Sequence, residues 1–325
     1  MTSMSSIAMK RRVLIVDDEE RVTRVLEAIL RDEFEVTVCN DPRHALDRIG
    51  NKFFHVIVSD QRMPQMEGVE LLRRSREVSA ASVRVLLTGY SDISAIIDSV
   101  NEGEIFRFLS KPWQTNEVRN VVREAADISV LTEGAIRNVG PARLAAPETA
   151  DSLRTLGDVL VLDADEEMFR LIKSHGVGEF TVHHATSIER ALDILAISRI
   201  AIVVSDMLVA GEDTARLLRL LKIEYPHILV ILASSALDSD SAISLINHIQ
   251  VFRFVPKPVR SGLLKQNIRS AYLRYRAFSV APVLTKRHIV AAMPATPASA
   301  EHRGLWSRVR QFVETLTLAR GGPHT

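Results

Sequence analysis

Three polar landmarks in this chain stand where apolar runs stop. Asp60 follows Val56-Ile57-Val58-Ser59, the cluster Asp17-Asp18-Glu19-Glu20 follows Val13-Leu14-Ile15-Val16, and Lys111-Pro112 comes just after Ile105-Phe106-Arg107-Phe108-Leu109. A carboxylate can be the nucleophile that accepts a phosphoryl group. Two or three carboxylates gathered at one point make a hard oxygen site suited to Mg²⁺, which keeps several waters and takes phosphate as a partner. A lysine nearby supplies a point charge for that phosphate. Singly, each landmark has a plain structural use: Asp17-Asp18 can cap a helix, and Lys111-Pro112 can form an exposed turn. Jointly they suit phosphoryl chemistry, provided that one fold brings three strand ends to one edge.

The intervening pattern supplies such a fold. Short apolar strands alternate with amphipathic helices: strand to Val16, helix from about Glu19 to Leu30, strand Glu35 to Cys39, helix Asp41 to Ile49 and strand Val56 to Ser59. Then come helix Glu67 to Val78, strand Arg84 to Thr88, helix Asp92 to Asn101, strand Ile105 to Leu109 and helix Asn116 to Ala126. Strands that are apolar throughout, separated by helices, predict a parallel sheet covered on both faces. In open sheets of this kind, ligands bind beyond the carboxyl ends of the strands, which is where Asp17, Asp60 and Lys111 fall.

A repeat search extends the pattern to the rest of the chain. Asp17 and Asp163, Asp60 and Asp206, Thr88 and Ser234, and Lys111 and Lys257 are each separated by 146 positions. Val13-Leu14-Ile15-Val16-Asp17 corresponds to Val159-Leu160-Val161-Leu162-Asp163, and Phe106-Arg107-Phe108 to Phe252-Arg253-Phe254. The predicted organisation is a first domain at residues 9–130, a linker at 131–155 whose first part can continue the preceding helix, and a second domain at 156–279. A tether at 280–303, rich in Ala and Pro, and an amphipathic helix at 304–320 complete it.

Bulk properties narrow the class. The 325 residues suffice for about two domains, and 41 Lys+Arg against 40 Asp+Glu give a formal charge of +1, which offers no global attraction to nucleic acid. Cys39 is the single cysteine and cannot form an intrachain disulfide; a buried small hydrophobe is its expected role. No apolar run approaches the ~18 residues of a membrane span, and Lys10-Arg11-Arg12 leads into a strand instead of a signal-peptide core. A cytoplasmic location is expected.

These residues resemble the receiver domain of bacterial two-component response regulators: Asp17-Asp18 after the first strand, Asp60 after the third, Thr88 after the fourth and Lys111-Pro112 after the fifth. The resemblance implies two doubly wound, flavodoxin-like, five-stranded parallel sheets in tandem. It implies that Asp60 accepts a phosphoryl group from the phosphohistidine of a histidine kinase or phosphotransfer protein. Mg²⁺ is then held by Asp17, Asp18, Asp60 and the main-chain carbonyl of Arg62. Thr88 and Lys111 meet phosphoryl oxygens, and Phe108 takes the aromatic switch position. By the same resemblance, the water that hydrolyses the aspartyl phosphate passes Arg62 and Tyr90, and these large side chains are expected to obstruct it.

The second copy departs from the pattern. Asp163, Asp206, Ser234 and Lys257 remain, but Ala164 stands where the first copy has Asp18, and Asp165 is one position further on. A lost carboxylate weakens a Mg²⁺ site, so an impaired domain is expected. Residues 280–325 are too few for most output modules, and no glycine-rich ATP site or helix-turn-helix is visible. The expectation is therefore a non-enzymatic regulator that signals through contacts with a protein partner or a second copy of itself, without direct nucleic acid binding. The competing class is a haloacid dehalogenase-type phosphatase using Asp163-Ala164-Asp165, which the first copy's Asp17-Asp18-Glu19 does not match.

Overall fold

The computed structural model describes residues 10–89, 97, 100–101, 104–140, 156–175, 180–235 and 239–288. The expected helix Asp92 to Asn101 lies largely outside these residues. Tyr90, most of the linker and the amphipathic helix at 304–320 lie wholly outside them. The chain divides into two units, Met1–Gly140 with Asp238–Asn247, and Pro141–Leu237 with His248–Thr325.

In the first unit the order is β1 (Arg12–Val16), α1 (Glu20–Leu30), β2 (Glu35–Cys39), α2 (Pro42–Asn51), β3 (Val56–Asp60), α3 (Gly68–Val78), β4 (Val83–Thr88), β5 (Arg107–Ser110) and α4 (Thr115–Val139). The sheet is parallel with strand order β2-β1-β3-β4-β5. Every residue of β3 and β4 is buried, as expected of central strands covered on both faces. Val13, Ile15, Val56, Val58, Val85 and Leu87 pack beneath α1 and α4. Asp41 caps α2 by accepting the Arg43 N–H at 2.8 Å, with Pro42 in the first turn. Cys39 is buried and donates to the Asp41 carbonyl at 3.2 Å.

In the second unit's sheet the strands are β6 (Asp158–Leu162), β7 (Val182–Ala185), β8 (Ile200–Ser205), β11 (Leu229–Ser234) and β12 (Arg253–Pro256). Its helices in chain order are α5 (Glu166–His175), α6 (Ile188–Ile197), α7 (Ala215–Glu224), α8 (Ser239–Ile249), which carries the 238–247 stretch grouped with the first unit, and α9 (Ser261–Val280). The order β7-β6-β8-β11-β12 repeats that of the first sheet. The pairing register repeats too: Val13 faces Val56 and Val159 faces Ile202, while Val85 faces Arg107 and Ile231 faces Arg253. The α/β class with two five-stranded parallel sheets is thus as the strand pattern predicts.

Three local features differ from expectation. Helix α4 runs on to Val139, because Ile128, Thr132 and Ala135 continue its buried stripe and outweigh the poor propensity of Gly134. After α9 the chain remains helical as a 3₁₀ turn from Pro282 to His288, where Leu284 is buried and His288 packs edge-on to Phe278. After β8, a hairpin of β9 (Leu208–Val209) and β10 (Glu212–Asp213) turns at Ala210-Gly211, both with positive φ.

Candidate functional site

The carboxyl ends of β1, β3 and the segment after β5 converge in the first unit. Asp17 is fully buried at the end of β1, and its Oδ1 accepts the Glu19 N–H at 2.9 Å. Its main-chain carbonyl accepts from Asn40 Nδ2 at 2.8 Å, which ties the strand end to the turn after β2. Asp60 closes β3 nearly buried, with Oδ2 accepting the Arg62 N–H at 2.7 Å. Lys111 reaches back from the end of β5, placing Nζ 2.6 Å from Asp60 Oδ1 and 3.1 Å from Asp17 Oδ2. Its own N–H is fixed to the Thr88 carbonyl at 2.8 Å, so the strand ends that carry Thr88 and Lys111 move as one.

The electrostatics follow from this burial. Desolvation raises the Asp17 pKa above the ordinary carboxylate value, against the Glu19 N–H and the Lys111 charge, which both lower it. For Lys111, burial is the largest single influence and favours the neutral amine. The hydrogen bond to Asp60 and the charges of Asp60 and Asp17 together outweigh it, so the ammonium is held above its usual pKa.

Other expected site residues fall as follows. Thr88 is buried at the end of β4 and Phe108 is buried in β5. Asp18 and Arg62 are exposed beside the site. Among the described residues, no three acidic, histidine or cysteine side chains converge closely enough to ligate a metal by themselves. The donor chemistry nevertheless fits Mg²⁺: two buried carboxylates present hard oxygens at one strand edge, and this ion fills the rest of its shell with water.

Gly68 is a requirement that the spacing arguments missed. A Cβ there would lie 1.9 Å from the Asp60 carbonyl oxygen, so only glycine lets the start of α3 approach the acid this closely. Its N–H donates to the Gln61 carbonyl at 3.0 Å, closing the turn over Asp60. A glycine at the end of a polar turn that opens a helix was the available signal. Trp113 packs on the core with its ring 5.9 Å from Lys111 Nζ, at the outer limit of a cation–π contact.

The second unit forms a similar centre. Lys257 Nζ donates to Asp163 Oδ2 at 2.7 Å and also bonds Asp206. Asp163 Oδ1 accepts the Asp165 N–H at 3.0 Å, as Asp17 does from Glu19. Ser234 ends β11, and its carbonyl accepts the Lys257 N–H at 3.0 Å. The Asp165 carboxylate instead accepts the Glu167 N–H at 3.0 Å and so serves the start of α5. In register with Gly68 stands Thr214, whose Oγ1 donates to the Asp206 carbonyl at 2.7 Å. His184, which the sequence pattern placed in a strand, lies in β7, bonds the Asp163 carbonyl at 2.9 Å and stacks on Phe169.

The fold and the first site together define a signalling domain. Residues 13–123 match the family model of the response regulator receiver domain, and this stretch is a receiver domain. Over 116 residues the chain is 37% identical to the hydrogenase transcriptional regulatory protein HoxA of Bradyrhizobium diazoefficiens, covering 36% of this chain and 24% of that protein. It is 25% identical over 175 residues to the transcriptional regulatory protein ZraR of Klebsiella oxytoca, covering 53% of this chain and 39% of that protein. The chain thus spans about a quarter to two fifths of these relatives' length. A response regulator receiver domain protein from Methanospirillum hungatei is similar at 27% identity and a TM-score of 0.36, covering 37% of this chain and 97% of that one.

These relatives correct two expectations. Signalling through protein contacts alone, and the exclusion of nucleic acid from the partners, are overturned by relatives that are transcriptional regulatory proteins. The physical reason is that a receiver site fixes the input chemistry and leaves the output unspecified, while a near-zero net charge averages over the whole chain and cannot exclude a local basic surface. No helix among the described residues is long and apolar enough to cross a membrane.

Proposed function

We propose that residues 13–123 are the phosphoryl-accepting switch of a two-component response regulator whose output is control of transcription. The observation that carries this reading is the Lys111 ammonium shared between two buried carboxylates, Asp17 and Asp60, at the carboxyl edge of a parallel sheet. A carboxylate oxygen of Asp60 attacks phosphorus in line, the bond from phosphorus to the donor's imidazole nitrogen breaks, and that nitrogen keeps the electron pair. Lys111 then exchanges one carboxylate contact for a phosphoryl oxygen, and the Thr88 hydroxyl binds another. Asp17, Asp18, Asp60 and the Arg62 carbonyl are the residues that would hold Mg²⁺, which when bound neutralises phosphoryl charge. Capture of Thr88 and inward packing of Phe108 make the domain two-state, and the chain acts as a switch rather than an enzyme in the cytoplasm.

Under the same proposal, residues 156–279 are a second, degenerate receiver copy with Asp163, Asp206, Ser234 and Lys257 in the corresponding roles. Support comes from the 146-residue register shared by both sheets and both lysine-bridged aspartate pairs. Transcriptional output is supported by the relatives' printed roles. To test the reading, the full chain is incubated with a small acyl phosphate with and without Mg²⁺. Labelling that depends on Mg²⁺ and disappears in Asp60→Asn is expected, and labelling equal to wild type in that variant would overturn it. Transcript profiles of cells carrying the wild-type or the Asp60→Asn chain test the output.

A further inference from the structure

Strand β5 is the outermost strand of the first sheet, paired on one side with β4. Such an edge presents a row of backbone N–H and C=O groups that another strand can pair with. At Phe108 this row is closed from within the unit. The Phe108 N–H donates to Asn247 Oδ1 at 2.9 Å, and Asn247 Nδ2 donates to the Phe108 carbonyl at 3.0 Å. A carboxamide that exchanges both bonds with one residue reproduces what a neighbouring strand residue would do. The neighbouring amides point the other way: the Phe106 N–H donates to the Arg84 carbonyl at 2.8 Å and the Lys111 N–H to the Thr88 carbonyl at 2.8 Å, both on the β4 side.

Asn247 lies in α8, within the 238–247 stretch that belongs to the first unit although it is far away in sequence. Only asparagine or glutamine offers a donor and an acceptor in one planar group, and a two-sided bond to a main-chain unit needs both. We infer that Asn247 is an intrachain clasp on the edge of β5, holding residues 238–247 where the strand of a second copy of this chain would otherwise add. The clasp sits on the residue three positions before Lys111, so the edge and the carboxylate centre share one short strand. This inference rests on the two bonds and does not require phosphoryl transfer.

Residue-resolved hydrogen exchange in the full chain tests it, with Phe106 and Lys111 amides as internal references. In wild type, the Phe108 amide should be protected although it faces an open sheet edge. In Asn247→Ala its exchange should accelerate about tenfold while Phe106 and Lys111 keep their rates, since removing the partner leaves one edge amide to water. Asn247→Asp, which keeps an acceptor but loses the donor, should retain part of the protection. Sedimentation of the same proteins should show stronger self-association in Asn247→Ala. An unprotected Phe108 amide in wild type would overturn the clasp without recourse to any variant. Unchanged Phe108 exchange in Asn247→Ala would do the same, and unchanged self-association would overturn its guarding role.

Discussion

The two units place the same three side chains at the same strand ends and finish them differently. In the first, the Asp60 carboxylate is 8% exposed and is gripped by the N–H of the residue two positions on; in the second, Asp206 is 22% exposed and accepts the N–H of the very next residue, Met207, at 2.6 Å. Gly68 lets α3 close down on Asp60, whereas Thr214 holds α7 off with a side-chain bond to the Asp206 carbonyl, and the β9–β10 hairpin fills the preceding turn. Asp18 has no acidic counterpart at Ala164. The lysine bridge therefore follows from the fold, while phosphoacceptor competence depends on what surrounds it.

The largest expected effect concerns Lys222, in register with Arg76. Arg76 pairs with Glu104 at 3.4 Å, but Lys222 is fully buried, bonds the Ile228 carbonyl at 2.5 Å, and has its pKa lowered by desolvation from 10.5 to about 7. The unfolded chain therefore holds this proton between about pH 7 and 10.5 while the native chain does not. Stability should rise with pH across that window, by up to ~1.4 kcal/mol per unit, and the full penalty applies below pH 7. Lys222→Met should abolish this slope and stabilise the chain at neutral pH by a few kcal/mol, as urea unfolding at pH 7 and pH 10 would show. Arg76→Met should leave the slope unchanged, because guanidinium does not titrate there.

A smaller effect tests the turn over the aspartate. Gly68→Thr should cost about 2–3 kcal/mol, since the new Cβ meets backbone at Asp60 and the helix start has to shift. Thr214→Gly should cost only about 1 kcal/mol, the worth of its lost hydrogen bond. Equal costs would mean that the two turns do not differ as described. The metal comparison is smaller still: Asp18→Ala should weaken Mg²⁺ binding by about tenfold in calorimetry, ~1.4 kcal/mol, and Ala164→Asp should raise the second site's affinity.

Much of this architecture could be read from residue order. Strands β3 and β4 are apolar on both faces, which announces a central parallel strand, and a polar residue that ends such a run must lie at the sheet edge. Hence Asp17, Asp60, Thr88 and Lys111 were legible, as was the 146-residue register. Features set by approach distance were not. Gly68 is needed because of an oxygen that only the folded turn brings near it, and Asn40 and Asn247 act through main-chain groups distant in sequence. The hairpin at Ala210-Gly211 is too short for a periodic signal, though Gly211 marked its turn. The length of α4 was obscured by Gly134, whose local cost is outweighed by packing on the sheet.

The central claim is that one of two similar lysine-bridged aspartates is the phosphoacceptor. The most direct measurement is peptide mapping of the phosphoryl group in the wild-type chain after limited exposure to a small acyl phosphate and Mg²⁺, with labelling at Asp60 and Asp206 followed in time. The account predicts that Asp60 is labelled at least about tenfold faster, each factor of ten being ~1.4 kcal/mol in barrier. Labelling of Asp206 at an equal or higher rate would contradict it.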